Sequence, residues 1–235
     1  MTLISILIPV YNGVEYLEEC LNSVINQTYN NWEVIIGING HLPTSSIIIT
    51  INDIVDLLIN NNINKEVLKN KIKVRYFDTK GKNATILKMK DEANGDYLAI
   101  LDVDDYWLPQ KLEKQLPYIN NYDVIGTQCK YFGLQSNSPN IPFGDLDNYD
   151  FLNNNPIINS SALIKKDCAT WDINEFYDDY DLWLQLYHKK KKFFNINEIL
   201  VMHRIHNTSS YNININKCQE ELVKLKFKWS KIYSL

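Results

Sequence analysis

The chain has 235 residues, 45% of them hydrophobic and 22% charged, the balance of an ordinary globular protein able to build a core without disulfides or a structural metal. Its formal net charge of −4 argues against nucleic acid as the main partner, since binding along a phosphate backbone wants a basic surface; a small diphosphate needs only one divalent ion or a few local lysines. The four cysteines, Cys20, Cys129, Cys168 and Cys218, are scattered, and the apolar start of the chain is too short to span a bilayer and lacks a basic leader, so a cytoplasmic protein with reduced thiols and no transmembrane segment is expected.

Residues 4–10 are a continuous apolar run, as in a strand buried on both faces, and Tyr11-Asn12-Gly13 forms a turn after it. Within 14–27, Leu17, Leu21, Val24 and Ile25 recur at helical spacing. Residues 32–38 read as a strand, 47–59 as a helix whose apolar run is interrupted by Asp53 and Asp56, and 60–64 as a breaker. A strand over 72–77, a helix over 84–93, a turn at 94–96 and a buried strand over 97–101 follow. Repeated strand–helix alternation implies parallel strands joined by helical crossovers. Ligands of such sheets bind outside the carboxyl ends of the strands. Tyr11-Asn12-Gly13, Asn39-Gly40-His41 and Asp102-Val103-Asp104-Asp105 should therefore converge on one crevice.

The second half is less regular. Strands are expected over 124–132, 157–164 and 193–201, helices over 177–188 and 216–229, and a Pro/Gly/Asn-rich loop over 133–147. The absence of repeats and long linkers points to one domain with two functional halves. Lys189 to Lys192 reads as a solvated turn after a helix. The last segment, KCQEELVKLKFKWSKIYSL, mixes Lys with Leu, Phe and Trp; packing against the domain is favoured, with weak membrane contact as the other reading.

The segment LAILDVDDYWLPQKLEKQ, residues 98–115, ends an apolar strand with three carboxylates. Carboxylates this close repel, and a hard divalent ion, Mg²⁺ or Mn²⁺, relieves them while sharing phosphate oxygens with a substrate. The plainer reading makes Asp104 or Asp105 the cap of the helix that follows Pro109. The turn in KGKNA, residues 80–84, leads into a helix whose start can face phosphate, with Lys82 adding charge; a solvated lysine in a turn is the simpler alternative.

The opening ISILIPVYNGVEYLEECLNSVINQTYNNWEVII, together with LDVDD, FYDDYDLWLQL (residues 176–186) and HRIHNTSS (residues 203–210), resembles glycosyltransferase family 2, the inverting enzymes of the GT-A fold. The resemblance, which runs over about 4–210, implies an α/β fold with a Rossmann-like nucleotide-binding half and a mostly parallel central sheet over 1–105 and a less regular acceptor-binding half over 106–210; the stretch 211–235 lies beyond it and reads as a helical extension. It implies a nucleotide-sugar donor, bound by the first half, and a glycan, lipid-linked or other hydroxyl acceptor. Pro9, Tyr11, Asn12, Asn39, Lys82, Asp102, Asp104 and Asp105 would bind the donor, with Asp104 and His206 on the metal and Asp105 just outside it. Asp179 would be the catalytic base, which inversion requires to take the acceptor proton; Asp178, Asp181 and Arg204 would be supporting residues of the site. The acids of the Asp178-Asp179-Tyr180-Asp181 stretch have a structural alternative as helix N-terminal residues favoured by the dipole.

The second strand departs from the family, which commonly ends it with two aspartates and a glycine where this chain has Ile38, Asn39 and Gly40. Ile38 cannot accept a hydrogen bond through its side chain, whereas Asn39 can donate and accept. The Ile-Asn-Gly-His end resembles a subgroup that also carries NPIINSS and HRIH segments. UDP is the expected nucleotide. Two rival readings are a non-catalytic nucleotide-sugar or glycan-binding module on the same fold, and a sugar nucleotidyltransferase. The latter wants a basic, Gly-rich loop after the first strand, which Pro9-Val10-Tyr11-Asn12-Gly13 does not supply.

Overall fold

A computed structural model describes residues 1–209 and 215–233. Ser210, the last residue of the HRIHNTSS segment, and residues 211–214, where the C-terminal extension was expected to begin, lie outside the described residues. Strands β1 (Ile4–Val10), β2 (Trp32–Asn39), β3 (Ile72–Phe77) and β4 (Tyr97–Ile100) alternate with helices α1 (Leu17–Ile25), α2 (Ser46–Asn60), α3 (Lys65–Lys71) and α4 (Lys82–Glu92). The second half holds β5 (Tyr106–Trp107), α5 (Lys111–Gln115), β6 (Val124–Gly133), β7 (Gly144–Asp145), β8 (Leu163–Lys165), α6 (Asp178–His188), β9 (Phe193–Ile205) and α7 (Ile215–Tyr233).

Among the described residues these strands form one nine-stranded sheet in the order β3-β2-β1-β4-β8-β6-β9-β5, with β7 on β9. β1 pairs in parallel with β2 and β4, and β2 with β3; β8 then runs antiparallel to both β4 and β6. Order 3-2-1-4 places a topological switch between β1 and β4, where a crevice opens at the strand ends. The register makes the opening: β4 pairs with β1 only as far as Leu7, so Val10 extends past it. Pro9, which has no N–H to give, lies beyond that last pair and breaks no ladder on the β4 side.

Both faces of β1 are buried, as its continuous apolar run requires. Ile4, Ile6, Ile8 and Val10 join a core with Leu17, Cys20, Leu21 and Val24 of α1, the i, i+3, i+4, i+7 stripe of an amphipathic helix. Leu7 faces the opposite core, with Ile86 and Met89 of α4 and Leu182, Trp183 and Leu186 of α6. Helix α4 lies against β2 so closely that a Cβ on Gly37 would sit 2.4 Å from Met89 Sδ.

The expected elements stand with several changes. Residues 14–16 form a 3-10 turn before α1, and α3 occupies the stretch after the 60–64 breaker. Helix α4 starts at Lys82, not 84, and β9 runs on to Ile205, beyond the expected 201. The strand expected over 157–164 is reduced to Leu163–Lys165; Asn159–Ser161 instead forms a 3-10 turn. That turn is imposed by polar side chains, since Ser160 hydrogen-bonds to the acidic loop after β4. The C-terminal segment packs on the domain through Cys218, Leu225 and Trp229. No helix among the described residues is long and apolar enough to cross a membrane.

Candidate active site

A cleft of about 1610 Å³ opens at the carboxyl ends of β1, β2 and β4 and is lined by Pro9, Tyr11, Asn12, Asn39, Lys82, Asp102, Asp104, Arg204 and His206 among others. The three polar clusters expected to meet therefore do meet. At one end, Tyr11 is 54% exposed, and its ring stacks on His41 with centroids 5.1 Å apart and planes at 25°. This shelf is braced from below: His41 Nε2 lies 2.5 Å from the Tyr11 carbonyl oxygen, and the Tyr76 hydroxyl donates to the His41 carbonyl at 2.8 Å. Gly40 makes the shelf possible, because its φ of 73° favours glycine and a Cβ would lie 2.6 Å from the Tyr11 ring. Ile38 is turned into the core, so the side chain that replaces the usual acid does not face the cleft. Asn39 lines the cleft although only 4% of it is exposed.

The acidic loop sits at the other end. Asp102 Oδ2 accepts from Asn159 Nδ2 at 3.0 Å, and the Asp102 N–H donates to Ser160 Oγ at 3.1 Å. Asp104 Oδ2 lies 2.9 Å from His206 Nε2, whose Nδ1 is 2.8 Å from Thr208 Oγ1. Asp105, expected among the donor-binding residues, is instead part of the framework: it is 1% exposed and does not line the cleft. Its Oδ2 accepts from Ser160 Oγ at 2.6 Å and faces His203 Nδ1 at 2.9 Å, while its Oδ1 accepts the Arg204 N–H at 2.8 Å. Burial works to lower the His203 pKa, but Asp105, with Asp102 and Asp104 behind it, raises it to about 9. Arg204 supports this loop: its Nε donates to the Asp104 carbonyl oxygen at 3.0 Å, its guanidinium pairs with Glu19, and the rings of Tyr16 and Phe132 flank it at 4.4 and 4.2 Å.

At the head of α6, Lys82 Nζ lies 3.0 Å from Asp178 Oδ2 and 2.8 Å from Asp102 Oδ1, joining the acid pair to the cleft. Asp178 and Asp179 themselves are not among the residues lining the cleft. Asp179 Oδ1 accepts the Tyr180 N–H at 2.7 Å, and its Oδ2 accepts from Asn155 Nδ2 at 3.0 Å. Burial and then the Asp178 carboxylate raise the Asp179 pKa to about 7, against the opposing pull of Lys82 and these two hydrogen bonds. Asp181 points elsewhere. It is 1% exposed and accepts from Lys228 Nζ at 2.9 Å, Trp229 Nε1 at 2.7 Å and Gln185 Nε2 at 2.7 Å, so it anchors α7 and is not among the residues lining the cleft, contrary to the support expected of it.

Asn155, Asn159 and Ser160 are the residues that sequence reasoning missed as individual contributors. All lie in or beside the NPIINSS segment, whose polar ends within an apolar stretch were the available signal.

The acidic loop suits a hard divalent ion. Burial, Asp105 and Asp102 all raise the Asp104 pKa, with only the hydrogen bond from His206 prominent among the side chains opposing them, and a cation relieves such crowding. No group of three or more His, Cys, Asp or Glu side chains disposed to hold a metal occurs among the described residues. The chain thus offers the Asp104–His206 pair, which fits an ion that keeps waters and takes further oxygens from a diphosphate.

Residues 5–171 match the family model described as glycosyl transferase family 2. The chain belongs to that family. It is 28% identical, over 94% of its length and 83% of the relative's, to the UDP-Glc:alpha-D-GlcNAc-diphosphoundecaprenol beta-1,3-glucosyltransferase WfaP of Escherichia coli. An uncharacterized glycosyltransferase of Rickettsia typhi is 26% identical over 93% of this chain and 69% of that one. Among solved structures, TarS of S. aureus in complex with UDP-GlcNAc superposes with a TM-score of 0.67 at 16% identity, covering 89% of this chain and 60% of that one. A mannosyltransferase from Pyrobaculum calidifontis in complex with GDP-Man and Mn²⁺ gives 0.68 at 12% identity, covering 92% and 61%. At these identities the structures speak for the fold, which is the GT-A fold, and this chain spans about three fifths of each of them. The domain is a family 2 glycosyltransferase.

Proposed function

We propose that this chain works as one domain that transfers a sugar from a nucleotide-diphosphate sugar to an acceptor hydroxyl, with inversion at the anomeric carbon and with Mn²⁺ or Mg²⁺ as cofactor. The observation that carries this reading is the single cleft with an aromatic shelf at one end and the Asp104–His206 pair at the other. In this reading the nucleobase lies against Tyr11, within reach of Asn39, and the sugar-diphosphate extends past Pro9, Asn12 and Lys82 towards Asp102 and Asp104. Asp104 and His206 hold the ion, which supplies positive charge to the departing diphosphate.

Asp179 takes the proton of the acceptor hydroxyl as that oxygen bonds to the anomeric carbon and the bond from that carbon to the diphosphate oxygen breaks. Its pKa of about 7 suits a base at neutral pH. The UDP-sugar named for the Escherichia coli relative supports UDP as the nucleotide. The same relative's acceptor, a lipid diphosphate sugar, makes a lipid-linked hydroxyl the first acceptor to try. The four buried, unbridged cysteines suit a reducing compartment, and we place the reaction in the cytoplasm.

Calorimetry against UDP, GDP, CDP and dTDP, each with Mn²⁺ and then with excess EDTA, tests the donor side. Tightest binding of UDP, lost in EDTA, is expected. A preference for GDP, or binding indifferent to EDTA, would overturn the corresponding assignment.

A further inference from the structure

The head of α4 holds the head of α6. Lys82 opens α4, and its ammonium is shared between Asp102 at 2.8 Å and Asp178 at 3.0 Å. The next residue, Asn83, donates through Nδ2 to the carbonyl oxygens of Asp172 at 2.6 Å and Glu175 at 3.1 Å, fixing the stretch that leads into α6. Asp178 and Asp179 are the first two residues of that helix. Adjacent carboxylates repel, and one tends to retain its proton unless a cation stands close.

Two charged groups bear on Asp179: Asp178 from its own helix and Lys82 from α4. Its hydrogen-bond partners, the Asn155 amide and the Tyr180 N–H, are neutral. The ammonium remains protonated in this setting, because burial, which would lower its pKa, is outweighed by Asp102 and Asp178.

We infer that Lys82 is a positioning residue for the acid pair: its ammonium ties Asp178 to Asp102 and supplies the charge that lets Asp179 ionise beside Asp178. This goes beyond binding a diphosphate. A lysine that served only the donor would change donor affinity and leave Asp179 untouched. The kinetic consequence rests on Asp179 being the base; the titration itself does not.

The test is a ¹³C-carboxylate NMR titration of the donor-free protein labelled at aspartate, with the Asp179 resonance assigned through Asp179→Asn. Lys82→Met should move the Asp179 midpoint up the pH scale by about one or more, the size expected on losing a nearby opposite charge. Lys82→Arg should restore it. Lys82→Gln, neutral but able to hydrogen-bond, is the second variant should Lys82→Met unfold, and should behave like it. In turnover assays the acid limb of kcat/KM should move with the midpoint. An unmoved midpoint in a folded Lys82→Met or Lys82→Gln protein overturns the inference, as does a raised donor KM with an unmoved acid limb and midpoint. Retained turnover in Asp179→Asn would instead remove the base assignment while the titration still judged Lys82.

Discussion

His206 Nε2 lies 2.9 Å from Asp104 Oδ2, so the residue that follows β9 meets the loop that follows β4 across the cleft. The two sides of the molecule are thereby joined at the point assigned to the metal. Asp104→Ala should abolish divalent-dependent binding of UDP and all turnover while leaving the circular dichroism spectrum unchanged. His206→Ala should weaken the same binding less, because the carboxylate carries the charge. Calorimetry with Mn²⁺ reads both, and full turnover in excess EDTA would contradict the assignment.

Asp179→Asn keeps the shape of the side chain but cannot take a proton, and should lower turnover by about two to four powers of ten while sparing donor binding. In the unsubstituted enzyme, turnover should rise with pH through about 7 as the base ionises. Stability should run the other way. A carboxyl whose folded pKa is raised from 3.8 to about 7 contributes stability fully below 3.8 and loses it as pH climbs to about 7. The Tm of Asp179→Asn should therefore gain on the parent across that window and run parallel above it. A constant difference would show that Asp179 titrates normally.

The Asp105–His203 pair predicts a second window of the same sign at higher pH. The folded His203 pKa of about 9 lies above the ordinary 6.5, so its contribution to stability is complete below 6.5 and is lost as pH rises through about 9. Thermal melts of the parent should show this loss, and melts of His203→Gln should not. Asp105→Ala, which takes the acceptor from the Arg204 N–H and His203 and the nearer acceptor from the Ser160 hydroxyl, should cost about 3–5 kcal/mol in denaturant titration.

Gly40→Ala tests the aromatic shelf. The added methyl would meet the Tyr11 ring at 2.6 Å on a backbone already at φ 73°, so ring and loop must shift. UDP binding should weaken at least tenfold, an effect of about 1.4 kcal/mol. Unchanged affinity would show that the nucleobase does not rest there.

The first hundred residues were readable because continuous apolar runs and helical stripes each have one structural outcome there. Ile4 to Val10, apolar but for Ser5, fits a strand covered on both faces, and Leu17, Leu21 and Val24 fit one face of a helix. The second half was harder because side chains decide its backbone. Residues 157–164 carry a strand's apolar content, yet Ser160 bonds with Asp102 and Asp105 draw the middle into a turn, a contact across more than fifty positions that no local pattern announces. The acids show the same limit. Asp102, Asp104 and Asp105 look alike in a row, but the loop turns Asp102 and Asp104 to the cleft and buries Asp105. Asp181, two positions after Asp179, goes to α7 because α6 has rotated it to the opposite face.

That rotation has a consequence for anyone trimming the chain. Asp181 finds two of its three donors, Lys228 and Trp229, on the last helix. A fragment ended near 210 would keep the carboxylate and discard both, retaining Gln185 alone of the three donors and uncovering the acid half a turn from the one assigned to catalysis. The loss of one side of such a contact typically costs about 3–5 kcal/mol, a large part of what holds most domains folded. Solubility and activity should then fail together.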